Sequence, residues 1–185
     1  PRRLNALRPD LDIHLFDVSA MYTSYWEQFV PTGKWALYEI PPDWQQSFDL
    51  VTSFFALEHI PQPLDTVRQI ASLLNEDGVF YGIVPDTFGN VADFVVIDHV
   101  NHFTHYSLDY LLKSAGFTNV NIDSDAHRGA LIFTARKNGS DSVKYELNST
   151  LTANCELAIY WSNVAAQIRE TERRYAGLSS AIYGS

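Results

Sequence analysis

The chain has 185 residues, 46% of them hydrophobic and 14% aromatic, enough to bury the core of one ordinary domain with an appendage. Its net charge of −9, without a basic stripe to release counterions, excludes a nucleic-acid backbone as the main partner. One cysteine, Cys155, rules out an internal disulfide and a cysteine-rich zinc site; no run of about 18 apolar residues predicts a membrane span, and a reducing, cytoplasmic location is expected.

Residues 12–17 alternate in polarity and end on Asp17, which predicts a strand. Ser19 offers a helix N-cap, and Met21, Tyr22, Tyr25, Trp26 and Phe29 recur at helical spacing, a stripe expected to pack in the core. A short strand over 35–40 and a turn at Pro41-Pro42-Asp43 follow. Residues 48–55 read as a strand buried on both faces, as parallel sheets require. Pro61 and Pro63 open a helix whose apolar residues Val67, Ile70, Ala71 and Leu74 share one face, and Asn75-Glu76-Asp77-Gly78 is its stop.

Residues 79–84 form the next strand, ended by Pro85-Asp86, and 86–104 a loop with short helical turns. Ser107 begins a helix of Leu108, Leu111, Leu112 and Ala115, stopped at Gly116. Two closing strands, over 120–122 and 130–135, pair as a hairpin. The alternation of strand and helix predicts an α/β class, Rossmann-like, with a mostly parallel sheet and helices on both faces. Residues 1–137 make that domain and 138–150 a linker. One long helix over 151–178 carries an apolar stripe through Leu151, Leu157, Trp161, Val164 and Ile168, with Cys155 in its core face. Such a stripe favours association, here a homo-oligomer. A strand running into a glycine turn is expected over 179–185.

Several pieces, taken in order, resemble class I S-adenosylmethionine-dependent methyltransferases. Asp17 ends a strand in the pattern Phe16-Asp17-Val18-Ser19; Phe48-Asp49-Leu50-Val51 leads to Leu57-Glu58-His59-Ile60; Leu73-Leu74 precedes a polar stretch and Gly78; Val84-Pro85-Asp86 ends a strand; and His102-Phe103-Thr104 leads to Ala115-Gly116-Phe117. The family's first strand, with its glycine-rich turn, would lie before residue 1. The long helix followed by Ala181-Ile182-Tyr183-Gly184-Ser185 is similar to the join between two domains of the sugar C-methyltransferases, so truncation at both ends is expected.

The resemblance implies methyl transfer from S-adenosylmethionine to a small acceptor, a sugar or sugar nucleotide by the C-terminal join. The other reading is a non-catalytic methyltransferase-like module for binding or assembly within a larger protein. Asp17, with Val18, would meet the ribose hydroxyls, a bidentate acceptor matching a diol; otherwise Asp17 is a charge favoured by a helix N-terminus. Glu39 or Asp43 would meet the adenine amino group, or is a surface charge. Ser53, Phe54 and Phe55 would line the sulfonium, which aromatic faces stabilise, although one of the two rings is expected in the core.

Glu58 would neutralise backbone donors of the following helix, with His59 packed over the cofactor or acting as a base. No metal site is expected there. His99, His102 and His105, spaced by three, could share one face of a helical turn. Where the sugar C-methyltransferases carry an acid beside histidine, this chain has Asn101, which leaves His102 as the best general base. Asp86, His99 and Tyr106 would contact the acceptor.

Overall fold

The computed structural model of the protein describes residues 1–137 and 147–178. Helix α1 (Arg2–Leu7) precedes strand β1 (Leu15–Asp17), a short helix α2 (Thr23–Trp26) and strand β2 (Trp35–Leu37). Then come β3 (Phe48–Phe54), α3 (Pro63–Leu73), β4 (Leu74–Pro85), α4 (His105–Ser114), β5 (Thr118–Asp123), β6 (Ala130–Arg136) and α5 (Leu147–Arg174). The class is α/β, as expected, but the strands form two sheets. β1 and β2 pair in parallel, and a second sheet runs β3-β4-β6-β5, in which β3 and β4 are parallel while β6 is antiparallel to both its neighbours.

Local chemistry sets the elements. In α3, Pro63 occupies the first turn and needs no amide partner there, while Val67, Ile70 and Leu73 fall on one buried face. α4 begins two residues before the predicted start, because Thr104 and Ser107 form a reciprocal capping box. Gly116, at φ +94°, ends it. β4 begins at Leu74, ahead of the predicted start at 79, since Leu74 pairs with Phe48 and the register then shifts. Gly78 lies in that irregular stretch. A Cβ there would sit 3.0 Å from the Phe48 carbonyl oxygen, so the strands approach this closely only around glycine.

The main core joins α3, α4, β4 and β6 through Leu57, Val67, Phe80, Leu108, Leu112, Phe117, Leu131 and Phe133. Phe80 meets Phe133 edge-on with ring centroids 5.0 Å apart, and each such buried ring contributes about 1.5–3 kcal/mol. A smaller core of Ala36, Trp44 and Leu73 holds the two-stranded sheet against α3 and β3. His14 and Phe48, just before β1 and at the start of β3, meet edge-on at 5.0 Å, which places the amino ends of these two strands together.

Four expectations are corrected. β3 is not buried on both faces: Leu50 and Phe54 are each 54% exposed, because α3 covers one face and, among the described residues, the strand pairs only with β4. The aromatic stripe over 21–29 is largely exposed, with Trp26 alone of its members buried. The helical stretch there is one 3₁₀ turn and a single α turn, so only one residue points at Trp35. Cys155 is exposed and not part of a helix core. The long helix is present, but it begins at Leu147, inside the expected linker, and its stripe is mostly open: Leu157 is buried while Leu151 and Ile168 are exposed. The expected linker residues 138–146 and the strand and turn over 179–185 lie outside the described residues.

Candidate active site

In open α/β sheets, ligands bind beyond the carboxyl ends of parallel strands. β1 ends on Asp17, whose Oδ1 accepts a hydrogen bond from the Ser19 amide at 2.9 Å. Among the described residues, Oδ2 has no hydrogen-bond partner. Val18 beside it is exposed. The Asp17 carbonyl accepts from the Tyr38 amide at 3.0 Å, which brings Glu39 next to the same strand end. Tyr38 turns the chain there at φ +65°. Glu39, together with Phe16, Ile40, Gln45 and Gln69, lines a cavity of about 320 Å³. Asp43 lies in the following 3₁₀ turn, outside that cavity.

β3 ends in Ser53, half-buried, and Phe54, followed by Phe55 at φ +49°. A non-glycine residue in this left-handed region costs of order 1–3 kcal/mol. Both phenylalanine rings are exposed, so neither is the core residue expected. Asp86 follows β4; its Oδ1 accepts from the Phe88 amide at 3.1 Å and shapes the next turn.

The 3₁₀ turn Leu57–His59 leaves β3 and meets the loop before α4. Asn101 fastens the two: its side-chain amide donates to the carbonyls of Leu57, at 3.0 Å, and Ile60, at 2.6 Å. The Glu58 carbonyl accepts from the amides of Val100 and Asn101. Asn101 is therefore a clasp. Glu58 departs from its expected role as well, since its carboxylate oxygens are buried and neither has a hydrogen-bond partner among the described residues. Burial pushes its carboxyl above the ordinary carboxylate range.

At the centre of the loop lies Asp93, fully buried, which no sequence signal had singled out. Its Oδ1 accepts from His99 Nδ1 at 2.6 Å and its Oδ2 from His102 Nδ1 at 2.7 Å, while the Thr87 hydroxyl donates to Oδ2 at 3.4 Å. An ionised carboxylate only accepts, so both imidazoles donate through Nδ1 and keep Nε2 for other work. His102 stacks on Phe94 with ring centroids 4.3 Å apart. His59 meets His99 edge-on at 4.8 Å, and its Nδ1 lies 3.0 Å from the Asp98 carbonyl.

Of the expected trio, His99 and His102 come together on Asp93 in a segment without regular structure. His105 opens α4 instead and faces Tyr106. Asp93 is the lone acid in the apolar run 91–97, six residues before His99 and nine before His102. That isolation is the one signal that could have pointed to it.

The fold is Rossmann-like, and these carboxylate, aromatic and imidazole groups follow the carboxyl ends of β1, β3 and β4. A family model described as a methyltransferase domain matches residues 4–122, and the chain belongs to that family. An S-adenosylmethionine-dependent methyltransferase of Thermotoga maritima shares the fold with a TM-score of 0.57 at 14% identity, over 74% of this chain and 77% of that one. The CMeT domain of the citrinin polyketide synthase gives a TM-score of 0.60 at 14% identity, over 75% of this chain and 43% of that one. At this identity the likeness speaks to fold alone. Comparison with curated protein sequences returns no match.

Proposed function

We propose that this protein transfers a methyl group from S-adenosylmethionine to a small acceptor, with His102 as the proton-accepting base. The observation that carries the reading is the pairing of His102 Nδ1 with the buried Asp93 carboxylate at 2.7 Å, in a chain of the methyltransferase family. A carboxylate behind an imidazole fixes its tautomer and stabilises the imidazolium formed when Nε2 takes a proton.

The residues present fit the ribose and sulfonium parts of the cofactor. Asp17 offers an oxygen without a partner among the described residues, and Phe54 and Phe55 offer exposed rings. When bound, S-adenosylmethionine supplies an electrophilic methyl group on its sulfonium. Asp17 Oδ2 would accept from the ribose hydroxyls, with Val18 against the sugar. Glu39 would take the adenine amino group at the mouth of its cavity, and Ser53, Phe54 and Phe55 would line the sulfonium. His59 would close one wall, while Asp86, His99 and Tyr106 would face the acceptor. The protein's main contribution is then orientation, and His102 removes a proton where the acceptor carries one. Assignment of the acceptor to the sugars rests on residues 179–185, outside the described structure.

S-Adenosylhomocysteine titrated into the protein by calorimetry should give saturable heat, and Asp17→Ala should weaken binding by roughly 10–100-fold, as expected for a hydrogen bond to a charged group. Unchanged affinity in the variant would remove Asp17 from the site. No heat from the unmodified protein at millimolar ligand would favour the binding or assembly module instead.

A further inference from the structure

We propose that Glu58, His59 and His99 form a binding site for a divalent first-row transition metal, with zinc the best match. One donor atom from each of these residues lies within 4.8 Å of the others. Glu58 is 1% exposed and neither of its oxygens meets a hydrogen-bond donor among the described residues. A carboxylate placed so is costly unless a cation meets it. His59 Nε2, its nearest positive candidate, is 3.9 Å from Glu58 Oε1, too far for a hydrogen bond. The Glu58 side chain is thus aimed at a gap between two imidazoles.

Those imidazoles are already set up as ligands. His99 donates Nδ1–H to Asp93 at 2.6 Å, and His59 places Nδ1 3.0 Å from the Asp98 carbonyl oxygen. Each bond fixes the tautomer that leaves a lone pair on Nε2, and metal-bound histidines are held in this way by a carboxylate or a carbonyl. Donor atoms on one tetrahedral zinc, bound at about 2.0–2.2 Å, lie roughly 3.4 Å apart. The present spacing, within 4.8 Å, needs a closure of at most about 1.4 Å, within reach of side-chain rotation. The donor set selects the ion: two imidazoles and one carboxylate suit zinc and its neighbours, whereas magnesium and calcium take oxygen ligands.

Three protein ligands leave a tetrahedral ion one open position. An ionised oxygen of the acceptor would fill it, a role that rests on the methyl-transfer reading; the site itself does not.

The test is titration of the metal-free full chain with Co²⁺, followed by visible absorption, and with Zn²⁺ by calorimetry, both without cofactor. One equivalent should bind with the intense visible bands of low-coordinate cobalt. Glu58→Gln and His99→Gln should each weaken binding at least tenfold, Asp93→Asn by roughly 10–100-fold, and His105→Ala should leave it unchanged. Absence of saturable stoichiometric binding, or equal affinity in Glu58→Gln and the unmodified chain, would overturn the site. X-ray absorption of the zinc-loaded unmodified chain keeps the test independent of variant folding: two imidazoles and a carboxylate oxygen are expected, and fewer than two imidazoles would overturn it. S-Adenosylhomocysteine calorimetry on the same preparation separates the two readings. Metal binding without cofactor binding overturns methyl transfer alone, and cofactor binding without metal binding overturns the metal site alone.

Discussion

Asp93→Ala is expected to lower the free energy of unfolding by about 3 kcal/mol, toward the low end for leaving two ring N–H donors without their acceptor at roughly 1–3 kcal/mol each. The carboxylate is fully buried and satisfies two imidazoles and the Thr87 hydroxyl. Its loss strands two ring N–H donors. The low end applies because the His99 and His102 side chains are 13% and 28% exposed, so water can reach them in part. Against a typical total of roughly 5–15 kcal/mol the loss is large. Urea denaturation should show it as a lower midpoint at unchanged slope. Asp93→Asn keeps the shape but offers one acceptor and one donor, so it should pair with one imidazole and repel the other, at a smaller cost. A loss below about 1 kcal/mol for the alanine variant would mean that the loop does not depend on this carboxylate.

His102→Ala is expected to reduce turnover by roughly 10²–10⁴-fold, the usual contribution of a positioned general base. Affinity for S-adenosylhomocysteine should be retained, because the cofactor-facing groups proposed at β1 and β3 do not contact His102. The variant leaves Asp93 paired with His99 and Thr87, so its stability should fall less than that of Asp93→Ala. Single-turnover kinetics with a competent acceptor would separate the outcomes. Turnover within about threefold of the unmodified protein would leave His102 a loop-anchoring role only, and a parallel loss of cofactor affinity would place it in the binding pocket instead.

Much of the fold was legible because it is written in local signals. The apolar run of β3, the proline start of α3 and the paired strands after Gly116 each follow from periodicity and turn chemistry. What was not legible is what covers an apolar face. The spacing of Met21, Tyr22 and Tyr25 is helical, yet periodicity names only the face and says nothing of a neighbour to bury it. The stripe of α5 and the open face of β3 fail to reach the core for the same reason.

Asp17 and His102 could be proposed from the sequence because each sits in an ordered motif. Asp93 could not, since its partners are reached through a loop with no regular period. Nor could the unpartnered state of Glu58, because burial of a carboxylate depends on the fold of residues some forty positions away.

The two cores have unequal weight, and this shapes how the molecule moves. The cluster under the small sheet of β1 and β2 has three buried residues, Ala36, Trp44 and Leu73, with buried Trp26 against Trp35 beside it, while fourteen make the main core. Proteins open in cooperative units whose free energies follow the contacts each unit buries. The lobe that carries Asp17 and Glu39 is therefore expected to open first. Its amides should exchange with solvent at a free energy well below that of global unfolding, while those of β4 and β6 should wait for the whole chain. A ligand that bridges Asp17 and the end of β3 would tie this lobe to the rest, so slowed exchange across residues 15–37 reports occupancy of the site even where the overall shape does not change.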